Sequence, residues 1–161
     1  MDVPKDVGKI LKRLKKSSPS GFAIAFHVQF TTPAFLFQTY PKEWLTVYNQ
    51  RGLVMQDPIV AWSFANTGAI RWAELADNDP ANVLGTAKDY GLAYGVAMGI
   101  ESQNSRSLAG FSRPDRDFTD AEIKDLQADA VALHELTAEA KIVSPELAAE
   151  LRRLSVTLTH P

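Results

Sequence analysis

An α/β domain with antiparallel strand pairing is the fold class the sequence predicts, and three observations carry it. Aromatic and β-branched runs bounded by Gly and Pro occupy 21–30 and 34–39, either side of Thr31-Thr32-Pro33. A second pair of such runs, 95–101 and 107–112, flanks the polar turn Ser102-Gln103-Asn104-Ser105 and reads as an antiparallel hairpin. Helical periodicity fills the segments before, between and after them. A chain of 161 residues with 45% hydrophobic side chains has room for one sizeable core and no second, so all of it is read as a single domain.

Taken in order, residues 1–16 carry six basic side chains (Lys5, Lys9, Lys12, Arg13, Lys15, Lys16) against Asp2 and Asp6. Val7, Ile10, Leu11 and Leu14 recur there at helical spacing, which predicts an amphipathic helix with a solvated, lysine-rich face ending before Ser17-Ser18-Pro19-Ser20-Gly21. Pro41 opens a helix that places Trp44, Val47 and Tyr48 on one face, and Gly52 closes it. Further helices are expected over 59–64, after Asp57-Pro58, and over 81–90, closed by Gly91. Thr119-Asp120-Ala121-Glu122 is a capping box, and Ile123, Leu126, Ala130, Leu133 and Leu136 continue the apolar stripe of the longest helix. A short helix from Pro145 to about Leu154 is expected to end the fold, followed by a tail to Pro161 without a cap.

Composition excludes several function classes. With 17 basic and 19 acidic residues the formal net charge is −2, which marks no general polyanion binder. The absence of cysteine removes disulfides, thiolate metal sites and a cysteine nucleophile, and a cytoplasmic location is the expectation. No apolar run nears the roughly 20 residues that span a bilayer, and no signal-peptide order is present. His27, His134 and His160 lack partners at metal-ligand spacing. There is no G-x-S-x-G elbow and no glycine-rich phosphate loop, so no catalytic residues and no cofactor are expected.

The unusual stretch runs from Tyr40 to Trp72. Tyr40, Trp44 and Tyr48 are four apart and share a helix edge, each joining an apolar body to a hydrogen-bonding tip. Such a stripe suits a core face or a ligand pocket, although core stripes favour Leu, Ile or Phe because a buried O–H or N–H needs a partner. Asp57, directly before Pro58, reads equally as an N-cap or as an acceptor for a ligand.

The pattern Tyr40-x3-Trp44-x3-Tyr48-x8-Asp57-Pro58-x13-Trp72, followed by Asp89-Tyr90-Gly91-Leu92-Ala93-Tyr94-Gly95 and Arg116-x-Phe118-Thr119-x-x-Glu122, resembles the autoinducer-binding domain of LuxR-type quorum-sensing regulators. The resemblance covers about 20–142. It implies an α-β-α sandwich around a central antiparallel sheet of about five strands, with an N-acyl-homoserine lactone enclosed between the sheet and one helical layer. It further implies that Trp44 donates to the lactone carbonyl, Asp57 accepts the ligand amide N–H, and Tyr40 donates to the amide carbonyl with help from Ser112. Tyr48 and Trp72 would pack on the lactone head group, while Val83, Ala87 and Leu108 would line the acyl side. On this reading 1–16 is a basic helix, 20–142 the sensor core, and 143–161 a last helix and the start of a linker, in a homodimer with no membrane contact.

Two departures bear on function. The connection Thr31 to Pro33 is short where several relatives carry a longer loop over the acyl end, and the helix-turn-helix domain with which family members reach DNA is absent from this sequence. Leu158-Thr159 resembles the start of that domain, which fits a piece of a longer regulator. The alternative is a ligand-independent dimerisation or anti-activator module that sequesters full-length regulators through the helix over 119–141.

Overall fold

The computed structural model describes residues 3–30, 32–143 and 145–159; Thr31 and His160 lie outside the described residues. Helix α1 (Val3–Ser17) buries Val7, Leu11 and Leu14 and turns its lysines to solvent. It leads into β1 (Gly21–Phe26) and β2 (Phe35–Gln38), then α2 (Lys42–Gln50) and α3 (Pro58–Ala65). Strand β3 (Gly68–Arg71) and α4 (Val83–Lys88) precede the hairpin of β4 (Tyr94–Ser102) and β5 (Ser105–Arg113), and α5 (Asp120–Val143) and α6 (Pro145–Thr159) complete the order.

The five strands form one antiparallel sheet in the order β2-β1-β5-β4-β3. The two faces of this sheet differ in bulk, and the difference follows from the sequence because successive strand residues point to opposite sides. In β1, Phe22, Ile24 and Phe26 face one way and pack with Phe35, Phe37, Met98 and Phe111 against α1, α5 and α6. Their neighbours Ala23 and Ala25 face the other way, and register places Ala23, Gly110 and Ala97 side by side across β1, β5 and β4. One face is therefore a solid aromatic core. The other is paved with small residues beneath α2, α3 and α4.

Several elements differ from the sequence reading. Strand β1 stops at Phe26 because His27 turns to φ +54, and its ring is tied to Ser105 and Thr137. Helix α4 starts only at Val83, since Asn82 sits at φ +54, and the Asp79 carboxylate caps it by accepting from the Val83 and Leu84 backbone N–H groups at 2.8 Å each. Strand β3 and two 3-10 turns, Leu53–Gln56 and Trp72–Asn78, were not expected. Helix α6 runs to Thr159 and does not stop near Leu154.

The hairpin turn holds Gln103 and Asn104 at φ +55 and +59, the paired left-handed geometry of a two-residue connection. The capping box on α5 forms in both directions: the Thr119 N–H donates to Glu122 and the Glu122 N–H to the Thr119 hydroxyl. Arg116 holds the Glu122 carboxyl well below its usual range, at about 2. No helix among the described residues is long and apolar enough to cross a membrane.

Candidate functional site

Small residues on one sheet face leave space, and the space is a cavity of about 730 Å³ between the sheet and the layer of α2, α3 and α4. That volume lies in the upper part of the roughly 300–1,000 Å³ usual for small-molecule sites. Its lining is mostly apolar, and its polar groups gather where the chain passes from β2 into α2 and α3.

Tyr40 follows β2 and comes directly before Pro41, the N-cap of α2. Its hydroxyl lies over Gly110, where a Cβ would come within 2.9 Å of it, so glycine at 110 is what leaves room for the hydroxyl against the sheet. Trp44, 4% exposed, sits one helical turn further on and meets Tyr48 edge-on, ring centroids 5.7 Å apart, and Tyr90 at 5.6 Å. Among the described residues neither the Tyr40 hydroxyl nor the Trp44 indole N–H has a hydrogen-bond partner.

Asp57 is 6% exposed and does two things at once. One carboxylate oxygen caps α3 by accepting the Ile59 N–H at 2.9 Å, and the other accepts the Tyr48 hydroxyl at 2.7 Å. Each oxygen keeps a further lone pair. Burial pushes the Asp57 pKa up against the opposing pull of those two hydrogen bonds. Burial, with the Asp57 charge beside them, also raises the pKa of Tyr40 and Tyr48, so both phenols stay protonated donors.

Trp72 lies flat on β4. Its ring occupies the place where a Cβ on Gly95 would be, and its buried indole N–H has no partner among the described residues. A buried donor left unmet costs about 1–3 kcal/mol.

Of the nine residues singled out from the sequence, Tyr40, Trp44, Tyr48, Asp57, Trp72, Val83, Ala87 and Leu108 all line this one cavity. Ser112 does not. It lies on the same face of β5 as Leu108 and Gly110, but its hydroxyl donates to the Tyr94 carbonyl at 2.8 Å and is spent inside the sheet.

Sequence reasoning missed Ala23, Ala25, Leu36, Gln38 and Phe64, which also line the cavity. The Phe-Ala-Ile-Ala-Phe alternation over 22–26 carried a signal for the first two, since a strand with one face of alanine cannot fill the layer above it. Among the described residues no cluster of three or more His, Cys, Asp or Glu is placed to hold a metal ion. His27 and His134 are buried on the opposite, α5 side of the sheet.

Comparison with known proteins matches residues 20–137 to the family described as the autoinducer binding domain. The transcriptional activator protein LuxR of Aliivibrio fischeri is 25% identical over 142 residues, covering 84% of this chain and 53% of that protein. SolR of Ralstonia nicotianae is 30% identical over 94 residues, covering 58% of this chain and 40% of that one. The chain thus spans about half the length, or less, of these curated relatives. Among solved structures, SdiA in complex with octanoyl-rac-glycerol superposes with a TM-score of 0.65 at 18% identity over 91% of this chain and 63% of that one. The N-acylhomoserine lactone-dependent CepR2 of Burkholderia cenocepacia superposes with a TM-score of 0.58 at 16% identity, over 84% and 91%.

Proposed function

Because the chain belongs to the autoinducer-binding domain family of LuxR-type transcriptional regulators, we propose that its cavity holds an N-acyl-homoserine lactone and that the chain is a non-enzymatic sensor domain with its core in 20–142. One observation carries this reading: two hydrogen-bonding tips without protein partners among the described residues, on Tyr40 and Trp44, line the same mostly apolar cavity as the Asp57 carboxylate.

An N-acyl-homoserine lactone offers two carbonyls, one N–H and an alkyl tail, and that is the complement of this set. The Asp57 lone pairs would accept the amide N–H, Tyr40 would donate to the amide carbonyl, and Trp44 to the ring carbonyl. Tyr48, held by its bond to Asp57, would orient that carboxylate while packing on the head group with Trp72. Val83, Ala87 and Leu108 would line the acyl side.

A hydrolase would need an activated nucleophile, and the serine hydroxyl in the lining, on Ser63, already donates to the Ile59 carbonyl with both described histidines across the sheet. In a full-length regulator the loaded domain would act as a homodimer, and DNA would be reached through the helix-turn-helix domain that the resemblance implies.

Calorimetry with matched analogues tests the head-group assignment. An octanoyl lactone should bind, and the analogue lacking the amide N–H should lose about tenfold to over a hundredfold, the worth of a hydrogen bond to a charged group. Octanoyl glycerol serves as the control that keeps the tail and changes the head. Equal affinity for all three would show that the cavity reads the tail alone and would overturn the assignment.

A further inference from the structure

Among the described residues six large hydrophobic side chains are exposed, and four of the six line this cavity: Leu36 at 42%, Val54 at 48%, Met55 at 86% and Phe64 at 41%. A monomeric surface rarely gathers apolar side chains in this way without something to cover them. They come from three elements, β2, the 3-10 turn Leu53–Gln56 and α3. The connection between β1 and β2 brings Val28 and Pro33 to the lining, and a pair of backbone hydrogen bonds between Gln29 and Thr32 closes it.

The distance from the polar end to this rim can be read from the sheet register. The Tyr40 hydroxyl lies over Gly110, which pairs with Ala23 and through it stands level with Gln38, so Leu36 is two strands across and two residues along, roughly 12 Å away. A fully extended chain advances about 1.2 Å per bond, since three backbone bonds per residue reach at most about 3.6 Å. Roughly ten carbons therefore separate a carbonyl held by Tyr40 from Leu36.

We propose that the site is built for lactones with long acyl chains, about ten carbons or more, whose tails run past Leu36 and cover the exposed rim of Val54, Met55 and Phe64. The inference rests on the lactone reading above and adds the class of acyl chain. Shorter chains fill the polar end and leave the rim bare. Each further methylene that reaches apolar surface should strengthen binding about fourfold, until the tail passes the rim.

Calorimetry of the chain with butanoyl, hexanoyl, octanoyl, decanoyl, dodecanoyl and tetradecanoyl homoserine lactones tests this, together with Met55→Asp and Phe64→Ser. Met55 is almost wholly exposed, so its replacement leaves folding intact. Affinity should climb to about the decanoyl or dodecanoyl lactone and then level. Met55→Asp and Phe64→Ser should weaken the dodecanoyl lactone at least tenfold and leave the hexanoyl lactone within twofold.

The proposal is overturned if hexanoyl and dodecanoyl lactones bind equally well, or if the variants weaken both alike or neither. It is overturned too if Met55→Asp splits a dimer into monomers without changing dodecanoyl affinity, for then a second copy covers the rim. Failure of every lactone, including short ones that never reach the rim, would instead strike the head-group reading on which the proposal stands.

Discussion

At Asp57 a helix cap and the proposed ligand acceptor occupy one side chain. Burial raises its folded pKa above the unfolded value, so between those two values the folded chain binds more protons, and stability falls as pH rises through that window. Above that window the buried carboxylate is thus a standing cost to the empty protein. Asp57→Asn removes the charge and keeps a capping oxygen, so the unliganded variant should melt no lower than wild type. Its lactone affinity should fall about tenfold to over a hundredfold, because the amide is a weaker acceptor and turns an N–H toward the ligand N–H. Calorimetry that returned wild-type affinity would leave Asp57 as a cap alone. This residue was legible from the sequence because Asp before Pro at a helix start fixes where the carboxylate sits. Ser112 was assigned to the wrong surroundings because its bond to the Tyr94 carbonyl depends on the β4–β5 register, in which Gly95 and not a neighbour faces it.

The elements most plainly written in the sequence were those set by local chemistry: the capping box of α5, the proline-led α2 and the β4–β5 hairpin, whose turn was read over 102–105 and tightens to Gln103-Asn104 in the structure. Strand β3 was not, because its four residues are only half-buried and it exists by pairing Gly68 to Arg71 against β4. The same long-range pairing decides the hollow face, where Gly95→Ala would set a Cβ 2.1 Å from the Trp72 ring. That substitution should displace Trp72, cost about 1–3 kcal/mol by overpacking, and shift the tryptophan fluorescence; an unchanged melt and spectrum would contradict the packing described.

On the solid face, α5 is pinned to the sheet by His134, whose ring nitrogen shares a hydrogen bond of 2.7 Å with Ser107. Burial lowers the His134 pKa, so as pH falls through about 6.5 the unfolded chain takes up a proton that the folded chain refuses, and stability drops. The urea midpoint should therefore fall between pH 7.5 and 5.5 more steeply in wild type than in His134→Gln.

Across the whole molecule, one sheet divides two unequal layers. The side facing α1, α5 and α6 is packed solid with phenylalanine, whereas the side facing α2, α3 and α4 encloses about 730 Å³ of space with unmet donors and a buried carboxylate. Interiors are normally close-packed, so such a hollow is stable mainly to the extent that a ligand completes it. That asymmetry follows from the alternation of large and small residues along each strand, but only the register of all five strands shows that the small ones coincide. The central claim is that an acyl-homoserine lactone is the missing part of this layer, and thermal melting of the chain with and without a decanoyl homoserine lactone tests it most directly. At a hundredfold excess over its dissociation constant the ligand should add about 2.7 kcal/mol, which for a domain of this size raises the melting temperature by roughly 5–10 °C. A melting curve unmoved by a saturating concentration of that lactone would contradict the account.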